Sequence, residues 1–419
     1  MSCSSSCNAV SPPAAYERAL GEVLRGTSAP ADILARAPAN GAESVEWLLL
    51  RAGIAVAAKH RSAFAALRAC LGAAARLASS PRELLHVAAG RSWLAGDAAG
   101  AARIYSDIAR QHPTDLLAVR LAQSCHFFLG NTRALLEVTG NVLGNWTKDA
   151  PGYDCLLALH AFALEENGCY AAAEAAGREA AAMTPRFPVA VHAVAHALHA
   201  QGRAREALSW LEARAADWVG MGRLTAHLAW HWALLHVELG ETGRALAIFD
   251  TAIAPRVGAN AGDAADAAAL LWRLHLLGVD AGRRWHAVAE ACADHLDPGF
   301  WPYYDVHAAM AFALAGRVQS ERKLTQAIET CAAGGVPAAA VAREVTTPLL
   351  AGIKAFVVEN YKGAAAYLAR VGGRLANMGG SREQREVIVS TARAAAFASG
   401  NNQQTRRRLP VFEPAATCS

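Results

Sequence analysis

The chain has 419 residues, 53% of them hydrophobic and 18% charged, which excludes a disordered polypeptide. Forty Lys and Arg against 36 Asp and Glu leave a net charge of +4, too mild to imply a nucleic-acid surface, and no basic cluster interleaved with aromatics stands out. The alanine-rich stretches are interrupted by Arg, His or Glu, so no membrane span is expected.

In chain order, residues 1–13 (MSCSSSCNAVSPP) read as a tail, and they lack the charged start and apolar run of a secretory signal. Residues 14–80 read as an N-terminal helical cap. From 81 to 398 a repeat sets the fold. Glycines that follow apolar helical runs, Gly96, Gly130, Gly168, Gly202, Gly240, Gly278 and Gly316, recur every 34 or 38 residues. Small residues (Ala101, Ala173, Ala207, Ala245) follow five places later, and Pro113 and Pro185 close two of the units. This is the tetratricopeptide register, in which helix A, a tight glycine turn and helix B form a hairpin that cannot bury its apolar face until it is stacked. Helix A segments are expected near 81–95, 114–129, 151–167, 187–201, 224–239, 263–277, 300–315 and 346–359. Ser381 and Gln384 form a capping box that opens a last helix over 381–398, and residues 399–419 read as a tail. The predicted fold is all-α: a right-handed solenoid of about eight helix-turn-helix repeats. Nine cysteines, odd in number and irregular in spacing, fit free thiols in a reducing, cytoplasmic setting better than a disulfide framework.

Most of the 15 histidines fall on helix A segments, which line the concave side of such an array. Counting the turn glycine as position 15, His192, His196, His199, His227, His231 and His307 take lumen-facing positions. His126, His160 and His236 take core positions, where local hydrogen bonds are expected. His192 and His196, and likewise His227 and His231, are spaced i, i+4 and share a helix face. Both pairs keep one offset between neighbouring repeats, so four imidazoles converge. Neutral imidazole suits a divalent transition metal, zinc or iron above all. The same offset brings Glu165 beside His196, as a carboxylate able to orient an imidazole or act as a base. Asp305 and His307 open the seventh marked helix A, and Trp230, Trp301, Tyr303 and Tyr304 are candidate pocket walls. His112-Pro-Thr-Asp115 reads as a turn and N-cap.

The runs HPTD at 112–115, ALEE at 163–166, AVHAVAH at 190–196, HLAWHWAL at 227–234, LLWRL at 270–274, DVHAAM at 305–310 and GGSREQR at 379–385 resemble the tetratricopeptide repeat protein 38 family in order and spacing over about residues 110–390. The resemblance implies the repeat fold and a shared lumen constellation of His192, His196, His227, His231, Asp305 and His307. The family commonly places an acidic residue where this chain has His199.

Two functions compete. In the first, a metal on His192, His196, His227 and His231 serves a hydrolytic or oxidative enzyme, with Glu165, Asp305 and His307 as catalytic groups and Trp230, Tyr304 and Arg385 binding a small-molecule substrate. In the second, the chain is a scaffold taking a peptide or protein partner in its concave groove. Few Lys or Arg lie on the helix A positions, which argues against a clamp for acidic peptides. Haem storage is a weaker third reading, without a CxxCH run. No P-loop or GxSxG elbow occurs, and a homodimer through the array ends is conceivable.

Overall fold

A computed structural model describes residues 12–35, 44–222, 224–335 and 337–400. The expected tails at 1–13 and 399–419 therefore lie outside the described residues except at Pro12, Pro13, Ser399 and Gly400. Among the described residues there are helices and no strands. Helices α1 (Pro12–Arg25) and α2 (Pro30–Ala35) come first, followed by antiparallel pairs: α3 (Val45–Ala57) with α4 (Phe64–Leu77), α5 (Pro81–Leu94) with α6 (Ala98–Gln111), α7 (Leu116–Leu129) with α8 (Thr132–Leu143), and α9 (Tyr153–Glu166) with α10 (Tyr170–Met183). The series goes on with α11 (Pro188–Ala200) and α12 (Ala204–Ala213), α13 (Leu224–Glu238) and α14 (Thr242–Ile248), α15 (Ala261–Leu276) and α16 (Arg284–Asp294), and α17 (Pro302–Leu314) and α18 (Val318–Ala333). Helix α19 (Pro337–Val341) runs into α20 (Thr347–Val357), which pairs with α21 (Tyr361–Val371), and α22 (Arg382–Ala398) ends the fold. Among the described residues the chain is an all-α solenoid of consecutive packed helix pairs.

The glycine turns work as the spacing predicts. All seven marked glycines have φ between 66° and 80°. That backbone lets the following N–H reach back to a helix carbonyl, as in Asn131 to His126 (2.9 Å), Arg203 to Leu198 (3.0 Å) and Glu241 to His236 (2.8 Å). Ala101, Ala173, Ala207 and Ala245 are fully buried where helix B meets its neighbours. The eighth helix A differs from the expected 346–359. It begins at Pro337 and passes through a π-turn (Ala342–Thr346) that ends two residues before Pro348. A second π-turn (Phe249–Ile253) precedes Pro255. A proline inside a helix removes a hydrogen bond and crowds the carbonyl four residues back, and the wider turn relieves both.

Two long-range closures shape the lumen. The turn after α3 meets the loop before α17: Arg61 pairs with Asp297 (2.5 Å), His60 Nε2 contacts the His295 carbonyl (3.0 Å), and Phe64 packs edge-on against Phe300 (5.7 Å). The chain then returns from α21 across the concave side. A short 3₁₀ segment (Gly372–Met378) packs against the end of α7, and α22 lies along α15, with the Trp272 indole donating to Thr391 (2.8 Å). Gly130 and Gly379 have positive φ and sit where this returning segment presses closest: a Cβ on Gly130 collides with the Ala376 carbonyl, and one on Gly379 with the Trp301 indole nitrogen.

Gly240 also has positive φ but faces open space. Gly240→Ala should therefore cost about 1–2 kcal/mol of backbone strain. Gly130→Ala should cost at least roughly twice that, because the returning segment must also move. Urea unfolding of the two variants checks the order; equal losses would contradict the tight crossing.

Candidate metal centre

Helices α11 and α13 run side by side and bring all four paired histidines together. One ring nitrogen from each of His192, His196, His227 and His231 lies within 4.8 Å of the others. His227 Nε2 is 2.9 Å from His192 Nε2 and 3.2 Å from His231 Nε2. A tetrahedral metal with bonds of about 2.0–2.1 Å sets its ligand nitrogens about 3.3 Å apart, so these spacings are close to those of a shared ion. His196 and His231 are fully buried, while His192 and His227 are partly open. Burial, then the neighbouring imidazoles, holds His192 and His231 well below the usual histidine range, so both are neutral and able to ligate.

Carboxylates stand behind the rings. His227 Nδ1 lies 2.6 Å from Asp266 Oδ2. Asp266 in turn accepts from the Tyr303 hydroxyl (2.9 Å) and the Gln384 amide (3.0 Å). Its burial favours protonation, but His227 and these donors keep its pKa below the ordinary value. A carboxylate on the far nitrogen fixes an imidazole's tautomer and aim. His196 Nδ1 lies 2.8 Å from Glu383 Oε2 and 3.3 Å from Glu165 Oε2, at ion-pair distance but without hydrogen-bond alignment, and His196 Nε2 is buried with no partner. Burial alone would lower His196, and the two carboxylates overturn it and raise it. Glu165 is raised by burial and by Glu383. Trp230 stacks on His227 (5.4 Å, 17° between planes), with the Arg273 guanidinium on its other contact at 5.6 Å.

A cavity of about 180 Å³ opens beside His192, His196 and His227, with Asp266, Tyr303 and Tyr304 in its wall. A second hollow, about 380 Å³, lies behind Glu383 and is lined by His199, Glu238, Arg273 and Arg382.

The other residues named from sequence take varied places. Glu165 is beside His196, as the register offset predicts, and Tyr304 lines the cavity. Trp230 is fully buried and does not line it, because its ring is packed beneath the imidazoles. His307 is buried and lies outside the imidazole group; its Nδ1–H donates to the Tyr303 carbonyl (2.6 Å), and burial lowers it to about 4. Asp305 turns towards the loop before α17 and accepts from Gly299 N (3.1 Å). Arg385 is buried rather than solvent-facing, bonded to the Gly380 carbonyl and 3.5 Å from Glu166. His199 pairs with Glu238 (3.0 Å). The three core histidines find the expected local partners: His126 with Ser106 (3.0 Å), His160 with Thr139 (2.9 Å) and His236 with Glu241 (2.7 Å). Asp115 caps α7 through Ala118 N (2.9 Å) and also binds His86 and Arg82. Cys125, Cys155, Cys292 and Cys331 carry free thiols.

Sequence reasoning missed Asp266, Glu166, Glu383 and Gln384 as parts of the site. Asp266 left one signal, a carboxylate inside the alanine run AGDAADAAAL. Glu383 and Gln384 lie in the GGSREQR run, where the only local signals are the capping box and Arg385.

No family model matches the chain. Among solved structures the chain is similar to one in the crystal structure of the APC/C hetero-tetramer Cut9-Hcn1, with 12% identity and a TM-score of 0.40, over 90% of this chain and 65% of that one. The chain thus spans just under two thirds of the protein it matches. Among the described residues no helix is long and apolar enough to cross a membrane.

Asp305 supplies a pH test. Burial raises its carboxyl to about 8; Gly299 N–H works against the rise, and nearby Asp297 adds to it. The folded chain keeps a proton that the unfolded chain loses above about pH 4, so this group's contribution to stability declines as pH rises from about 4 to about 8. Asp305→Asn removes the decline. Relative to wild type its unfolding free energy should gain on the order of 3–4 kcal/mol between pH 5 and pH 8, measured by urea unfolding; a difference that stays flat across that window would contradict the assignment.

Proposed function

We propose that the chain is a binding protein of the helical-repeat class whose lumen holds one divalent transition metal, zinc or iron, on His192, His196, His227 and His231. The observation that carries this reading is the meeting of the Nε2 atoms of His192, His227 and His231 at 2.9 and 3.2 Å, with Asp266 behind one ring and Glu165 and Glu383 behind His196. Buried imidazoles with no ion between them would leave His196 Nε2 without a partner, at a cost that buried polar groups rarely bear.

The reading extends to catalysis through the adjoining cavity, which gives a small molecule access to His192 and His227. A metal at this centre supplies Lewis-acid polarisation of a bound carbonyl or, if it is iron, one-electron chemistry. The chain's own part is to orient the rings through Asp266 and Glu383, to exclude water from His196 and His231, and to offer Tyr304 as a cavity wall. Hydrolytic and oxidative reactions both suit this arrangement. Asp305 faces the loop before α17, and His307, held on the Tyr303 carbonyl, lies outside the four-imidazole group. The motif resemblance to the tetratricopeptide repeat protein 38 family belongs to the same proposal.

The second reading, a scaffold for a peptide or protein partner, is favoured by the architecture itself, since helical repeats commonly bind along their concave face. In this chain residues 379–385 already cross that face, so a peptide in the lumen shares it with the chain's own segment.

Elemental analysis of the untagged protein, purified without chelator, tests the metal reading. At least one equivalent is expected, with this centre lost in the His196→Ala, His231→Ala double variant while the helical circular dichroism is retained. No metal as purified and none after reconstitution would overturn it and leave the partner-binding scaffold.

A further inference from the structure

We infer that the lumen holds a second divalent cation, on Glu165, Glu166 and Glu383, with His196 bridging it to the ion on the four imidazoles. This rests on the four-imidazole reading and goes beyond it. One ligand atom from each of Glu165, Glu166, Glu383 and His196 lies within 4.8 Å of the rest. The carboxylates come from the end of α9 and the start of α22, two elements that meet only because the chain returns across the lumen.

The side chains of Glu165, Glu166 and His196 are fully buried, and Glu383 is nearly so. Both oxygens of Glu165, both of Glu383 and Oε2 of Glu166 lack hydrogen-bond partners. Such a concentration of buried, unsatisfied acceptors calls for an ion or a water. His196 is the independent pointer. It is an imidazole with its Nδ1 aimed among the carboxylates, 2.8 and 3.3 Å from two of their oxygens, yet not aligned for a hydrogen bond with either. Those separations match ligand-to-ligand edges: oxygen and nitrogen ligands at about 2.0–2.2 Å from one ion stand roughly 2.8–3.6 Å apart.

Arg385 lies 3.5 Å from Glu166 and Arg382 lies 3.6 Å from Glu383. Three carboxylates and a bridging imidazolate carry four negative charges, and a divalent cation would add to the positive charge that Arg382 and Arg385 set against them. Loading the second ion forms a bond from Nδ1 to the metal and releases the Nδ1 proton to solvent. No electron changes hands.

The test loads metal-free full-length chain with copper(II) and reads both stoichiometry and electron paramagnetic resonance. Two equivalents are expected, with most of the copper signal lost, because two copper(II) ions across an imidazolate couple antiferromagnetically. The Glu165→Gln, Glu383→Gln variant keeps side-chain shape and should bind one equivalent with a full mononuclear signal. One uncoupled equivalent in wild type, with an unchanged Gln variant, would overturn the second site and leave the four-imidazole centre standing. No binding in either protein would overturn both. If the double variant fails to fold, as judged by circular dichroism, the wild-type stoichiometry and signal decide alone.

Discussion

The contact between His196 and Glu383 joins two parts of the chain that the repeat pattern alone keeps apart. His196 sits mid-way along α11, in a helix that stacking buries, and Glu383 arrives with α22 after the last hairpin. At 2.8 Å, in a place where neither side chain has appreciable access to water, this pair cannot be left half-made. Removing one member strands the other's charge in a low-dielectric interior, an outcome that costs several kcal/mol in buried pairs. The position of α22, the crossing of residues 379–385 and the enclosure of the imidazoles therefore depend on one another. Gln384, one residue on, reaches Asp266 and through it His227, so the same turn of α22 supports two of the four rings.

That turn is held by local chemistry. Ser381 accepts from Gln384 N, and Gln384 Oε1 accepts from Ser381 N (2.9 Å), a reciprocal cap that fixes where the helix starts. Gly379 and Gly380 before it both have positive φ and allow the segment to lie flat against Trp301 and Tyr303. The result is a solenoid whose groove is partly filled by its own chain. Closure by Arg61 and Asp297 on one side and by α22 on the other narrows an open binding surface to a small, half-open cavity beside the imidazoles.

The repeat was legible in the sequence because it is encoded locally. A glycine at a helix end and an alanine five places on report one hairpin, and the recurrence reports the stack. The two His-x-x-x-His pairs were legible for the same reason: the i, i+4 rule sets the face and the repeat offset sets the neighbour. Glu165 followed from that offset. Asp266, Glu166, Glu383 and Gln384 did not, because their place depends on a tertiary path. Asp266 belongs to the next helix A at a register position outside those assigned to the concave face, and Glu383 belongs to a helix outside the period. Trp230 shows the opposite error. Its register position points to the lumen, but the rings around it fill that space, so its indole became the floor beneath His227 rather than a wall of the cavity.

Arg385 carries the same lesson into electrostatics. A lone arginine after a capping box reads as a surface residue or a substrate clamp, since burying a guanidinium without a partner is costly. The partner was present in the sequence as Glu166, far from Arg385 along the chain and next to Glu165 on α9. With Arg385 set against Glu166, and Arg382 against Glu383, the lumen holds more buried carboxylate than guanidinium. The surplus falls beside His196, the ring that both groups of candidate ligands share. A solenoid stabilised by apolar stacking alone has no use for this arrangement, and well-packed hydrophobic side chains of similar volume would serve its stability as well or better. The chain keeps acid, base and imidazole together there at a cost in stability that a bound ion or a moving proton would offset, which is the physical reason the proposed function is placed in the interior of the repeat.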